Sequence, residues 1–179
     1  MACSTRIDRD CRGAIVPSEI IHYGLLIALA IALLTAAFTD LRERRIANWL
    51  NLSIALAAPA FWWSSGLSLW PGVALQFGVA LATFAVLSVL FALRAMGGGD
   101  VKLLTALALW IQPTVFVQLI VIMALAGGLL TLVFGAWHIM RRRKDRIAIP
   151  YGVAIAFAGL WVIVSHYAPA IDALPGAVA

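Results

Sequence analysis

Gly97-Gly98-Gly99-Asp100-Val101-Lys102-Leu103-Leu104 opens an apolar run that continues to Met140 and is interrupted at Gln112-Pro113-Thr114. How that run is read decides the fold. As one helix it would extend about 60 Å at 1.5 Å per residue, roughly twice the hydrocarbon thickness of a bilayer. Proline removes a main-chain donor and restricts the residue before it, so the run divides there. The products are a half-length helix, Val101–Ile111, and a full-length one, Val115–Ile139.

Composition sets the solvent. The 179 residues are 64% hydrophobic and 12% charged, with a mean hydropathy of +1.00, far from a soluble domain. Ile20–Thr39, Trp49–Trp63, Val73–Leu93 and Gly152–Ile171 supply four more apolar runs. The expected architecture is all-α and polytopic: six transmembrane helices with a short fourth. Residues 1–18 read as a polar tail, 19–172 as the membrane domain and 173–179 as a second tail. Basic residues orient it. With the split at Pro113, Arg42–Arg45, Arg94, Lys102 and the cluster Arg141–Arg146 all fall on one face, the cytoplasmic one, which leaves the amino end outside.

The net charge of +5 sits in short clusters between apolar runs. That suits anionic lipid and not nucleic acid, for which no basic stripe interleaved with aromatics is present. Cys3 and Cys11 lack CxxC spacing, and His22, His138 and His166 lie in no ligand spacing. No metal or cofactor is expected. No internal repeat supports an inverted-repeat transporter.

Two acids stand against the apolar runs: Asp40, at the end of the first, and Asp100, at the start of the fourth. A carboxylate beside hydrocarbon is costly unless neutral, paired or wet, so its default reading is functional. Because the fourth helix is half-length, Asp100 is expected below the cytoplasmic surface, in an irregular glycine-rich segment at the end of a wet cavity. The bland alternatives are a helix cap for Asp100 and an interfacial ion pair with Arg42 or Arg44 for Asp40. Two carboxylates sharing a site hold one proton between them and can activate water against a peptide carbonyl.

Gly97-Gly98-Gly99-Asp100-Val101-Lys102 resembles the GxGD-x-K motif of the prepilin peptidases, membrane aspartic proteases that process type IV pilin precursors. Asp40-Leu41-Arg42 with Arg45-Ile46-Ala47-Asn48 resembles that family's first-aspartate motif, with Ala47 where proline is usual, a change expected to loosen the start of the second helix. Ile149-Pro150-Tyr151-Gly152 is similar to its third patch. The resemblance implies Asp40 and Asp100 as catalytic dyad, with Gly97, Gly98, Gly99, Lys102, Arg42, Asn48, Pro150, Tyr151 and Gly152 in support. It implies removal of a basic leader after a glycine from prepilin or pseudopilin substrates, at the inner membrane's cytoplasmic face. The pilus-assembly machinery is an implied partner. Without a CxxC-bearing methylating segment, the chain resembles the short, peptidase-only form associated with Flp-type pili and tight adherence. Lys102 either tunes the dyad or snorkels to headgroups.

Two rival readings use the same residues. A proton- or cation-handling protein would distribute acids along a path through the bilayer, whereas both acids here fall on one side. A non-catalytic subunit of a secretion assembly would leave prepilin uncut.

Overall fold

The computed structural model describes residues 17–140 and 151–167. Among them are six helices in chain order. These are α1 (Pro17–Glu43), α2 (Asn48–Ser64), α3 (Ala74–Ala92, preceded by a π-type turn at Leu69–Val73), α4 (Gly98–Trp110), α5 (Pro113–Met140) and α6 (Tyr151–Val162, continued by a π-type turn at Ile163–Tyr167). Three stretches are long and apolar enough to cross a membrane: Glu19–Glu43, Leu69–Ala92 and Pro113–Trp137. Large apolar side chains such as Leu56, Trp70 and Leu125 lie more than two-thirds exposed, at 70%, 82% and 71%. Apolar surface on that scale belongs in lipid, and the protein is a multi-pass membrane protein.

The break at Pro113 is where the sequence places it, and proline takes the first position of α5, where its missing N–H costs nothing. The resulting α4 is the core of the molecule. Val101, Leu103, Leu104, Ala106, Leu107, Ala108 and Trp110 are all buried, as suits a helix apolar all round. It packs against α3, α2 and α6, while α1 packs against α2 and α6, and α5 against α6.

A buried helix of 13 residues, about 20 Å long, must find partners for its last carbonyls inside the bundle. Side chains of two neighbours supply them. Gln76 of α3 donates from Nε2 to the carbonyls of Ala108, at 2.9 Å, and Ile111, at 2.5 Å. Trp62 of α2 donates from Nε1 to Leu109 at 2.7 Å. Trp110 returns the exchange, donating to the Ile54 carbonyl at 2.8 Å.

Two element ends differ from expectation. The first helix does not stop before Asp40 but runs to Glu43, so Asp40 occupies its last turn and not a loop. It ends there because Arg44 turns left-handed, at φ +53°, and its N–H closes onto the Asp40 carbonyl at 3.0 Å. At the other end of the site, Gly98 and Gly99 are already helical and only Gly97 is extended. The glycine-rich segment is therefore the first turn of α4, not an irregular strap. Ala47, in the usual proline position, holds φ −64° and ψ 133°, which is proline geometry without the ring.

Gln76 is 5% exposed, so replacing it by leucine strands two buried carbonyls. Gln76→Leu is expected to destabilise the protein by about 1–3 kcal/mol. Thermal unfolding in detergent reads this as a lowered midpoint.

Candidate active site

The carboxyl end of α1 and the amino ends of α2, α4 and α6 meet at one end of the bundle. Asp40 and Asp100 lie among them, 7% and 8% exposed and within electrostatic reach of each other. The 59 residues between them carry the chain across the bundle and back, so the proximity is a product of the fold.

Each acid is held by the start of a helix. Asp100 is the third residue of α4, and its carboxylate reaches back to accept the main-chain N–H of Gly97 at the cap. A Cβ on Gly97 would stand 2.8 Å from Asp100 Oδ2, so the glycine keeps this approach open. Asp40 serves a helix distant in sequence. Its Oδ2 accepts the N–H of Gly152 at 2.8 Å, and the N–H of Val153 adds a second bond, both in the first turn of α6. Carboxylates at helix amino ends satisfy free donors and complement the helix dipole. The capping expected as the bland account of Asp100 is therefore real, and it coexists with the meeting of the two acids, which capping alone does not produce.

The supporting residues divide. Gly99 packs against Ile46, where an added Cβ would approach the Ile46 Cβ to 3.2 Å, and Gly98 packs against Phe91. Tyr151 lays its ring on Gly127 of α5, its hydroxyl 3.3 Å from Thr131 Oγ1, which anchors the turn that carries Gly152. A Cβ added to Gly128, the neighbour of Gly127, would meet nothing within 4 Å. Lys102 pairs with Asn48, Nζ donating to Oδ1 at 2.8 Å, on the exposed rim. Arg42 is not brought to the site: it is exposed and lies over the Phe38 ring, 4.7 Å from the ring centroid. Pro150 lies outside the described residues, as do Cys3, Cys11 and Arg141–Arg146.

A cavity of about 370 Å³ opens between α2, α3 and α4, and neither aspartate is among its lining residues. Lys102, Thr105, Ala106 and Leu109 line it, and at about 100° per residue these face away from Asp100 across α4. Asn51 also lines it, and sequence reading passed it over. Its one signal was a second asparagine three residues after Asn48, on the same helical face inside an apolar run.

A sequence model of the type IV leader peptidase family matches residues 10–136. The chain belongs to that family. No curated protein and no solved structure matches it. As a member of the type IV leader peptidase family the chain is a peptidase, a hydrolase embedded in a membrane. The matched residues include Asp40, Asp100 and the glycines that open α4, while α6, whose Gly152 N–H bonds Asp40, lies beyond them.

That last contact yields a test. A methyl group on Gly152 would stand 2.8 Å from Asp40 Oδ2 and 3.0 Å from its Cβ, too close for a side-chain tip to yield alone. Gly152→Ala is expected to displace Asp40 and lower the peptidase rate about 100-fold, the usual cost of a 1 Å misplacement. The rate is to be set against an unchanged amount of inserted protein.

Proposed function

We propose that the protein is an aspartic endopeptidase that removes the basic leader of prepilins after a glycine, at the cytoplasmic face of the inner membrane, using Asp40 and Asp100 as its catalytic dyad. One observation supports this reading: two buried acids, 60 residues apart in sequence, lie at one end of the bundle within electrostatic reach of each other. Each is oriented by main-chain N–H groups.

In this reading the pair shares one proton, since two neighbouring carboxylates do not both ionise readily. The anionic member takes a proton from water as the water oxygen attacks the scissile carbonyl carbon. The protonated member gives its proton to the carbonyl oxygen, and a tetrahedral diol forms. On collapse the proton taken from water passes to the leaving nitrogen, the C–N bond breaks, and a diol hydroxyl returns a proton to the other acid. The pair ends as it began, and no covalent intermediate is formed.

Six spans, with the amino end outside, place Asp40, Asp100, Arg44, Arg94 and Lys102 on the cytoplasmic side. A basic leader is attracted to an acidic site there. Flp-type prepilins are the substrate class proposed.

Reconstituted in vesicles with a prepilin, Asp40→Asn and Asp100→Asn are each expected to reduce kcat by about a thousandfold or more while insertion is retained. Cleavage at the wild-type rate by either variant ends the dyad reading. The wild-type rate is expected to trace a bell against pH, because the pair works only while it holds a single proton. A rate that rises or falls monotonically across the range where the protein stays folded contradicts it.

A further inference from the structure

The longest helix, α5, supplies neither acid with a hydrogen bond among the described residues. Asp40 takes its donors from α6, and Asp100 takes its donor from Gly97. Leu125, Leu129 and Leu132 leave one face of α5 open to lipid, and its packing is against α6. What α5 does for the site it therefore does through α6.

The contact between them centres on Tyr151. Its ring lies against Gly127 of α5, where an added Cβ would stand 3.0 Å from Cε1 and 3.2 Å from Cδ1. Ala154, on the next turn of α6, brings its Cβ within 3.8 Å of the same position. One turn along α5, Thr131 Oγ1 stands 3.3 Å from the Tyr151 hydroxyl. The direction of that bond follows from its surroundings. A threonine hydroxyl has one proton, and Thr131 donates its own to the Gly127 carbonyl at 2.7 Å. Its oxygen is left as an acceptor, so the Tyr151 O–H donates to it. Tyr151 is thus fixed twice on α5, by bare backbone under its ring and by a hydroxyl at its tip.

We propose that Thr131 and Gly127 are positioning residues for Asp40: by fixing Tyr151 they set where the first turn of α6 begins, and so the aim of its amides on the carboxylate. The inference rests on the dyad reading of the site. The N–H that bonds Asp40 Oδ2 at 2.8 Å belongs to the peptide joining Tyr151 to Gly152. That peptide is planar and stiff, so a shift of Tyr151 along α5 moves the donor with it. Val153, whose N–H also bonds Asp40, lies one residue further in the same turn. Neither Thr131 nor Gly127 meets the reacting atoms. Their effect falls on the rate of the chemical step and not on substrate binding.

The test is steady-state cleavage of prepilin in vesicles, with kcat and KM resolved. Thr131→Val keeps the shape and removes the acceptor; Tyr151→Phe keeps the ring and removes the donor. Each is expected to lower kcat about tenfold with KM within about twofold, and the two together no further, since one bond is lost. The effect is smaller than that of displacing Asp40 outright because a 3.3 Å contact is long for an O–H···O bond. Thr131→Ser, which restores the hydroxyl, is expected within about twofold of wild type. Gly127→Ala pushes the ring away and is expected to lower kcat in the same manner, and it decides the matter if Tyr151→Phe does not insert. Added to Gly152→Ala, Thr131→Val is expected to cost less than about twofold more, because both act on one amide. Wild-type kcat in Thr131→Val or in Gly127→Ala overturns the proposal. So does a loss that appears in KM, a Thr131→Ser as slow as Thr131→Val, or losses that multiply in full with Gly152→Ala. The dyad is tested apart from this. Asp40→Asn at the wild-type rate ends the dyad whatever the Thr131 variants do, and full kcat in Thr131→Val beside an inactive Asp40→Asn ends the positioning role while the dyad stands.

Discussion

A carboxylate buried in an apolar bundle must be given hydrogen bonds, and in this protein the donors are main-chain amides at the starts of helices. The bond from the Gly152 N–H to Asp40 Oδ2 joins residues 112 apart in sequence and ties the first helix to the last. It works because Gly152 lacks a Cβ and because α6 begins where α1 ends. Move either helix by an ångström and Asp40 loses its donors. Asp100 depends on the same device with a shorter reach, taking its donor from Gly97, three residues back.

The half-length of α4 follows from the same requirement. A helix that starts at a buried acid and still ends inside the bundle leaves free polar groups at both ends. At its amino end the acid itself answers the need. At its carboxyl end Gln76 and Trp62 lend their N–H groups to carbonyls that would otherwise be stranded in hydrocarbon. The surrounding helices are thus chosen for what they donate as well as for what they bury.

Much of this was legible in the chain itself. Apolar run length gave the helices, proline gave the break before α5, and the cost of intramembrane acids singled out Asp40 and Asp100. What could not be read depends on contacts distant in sequence. Nothing in Phe38-Thr39-Asp40 says that α1 will continue to Glu43, since the stop lies in an arginine forced left-handed. Gly98-Gly99 reads as a breaker until Phe91 and Ile46 are seen against it. Gln76 reads as a lone polar residue in an apolar run until the carbonyls it serves are known. Arg42 carried a motif's expectation and turned instead to Phe38, a partner one helical turn away.

The choice of main-chain donors over side-chain cations has a chemical meaning. A lysine or arginine bonded to either acid would bring a full positive charge into the site and favour both carboxylates as anions. A dyad of the proposed kind, which holds one proton, would not be stabilised that way. An amide N–H orients the carboxyl group and offsets part of its burial while adding no net charge, which in the proposed dyad would leave the proton free to pass between the two acids. The cations near the site respect this: Lys102 spends its hydrogen bond on Asn48, and Arg44 acts on Asp40 from an exposed position at the rim. The arrangement is the one the proposed dyad calls for, in which two acids are buried together and still exchange a proton.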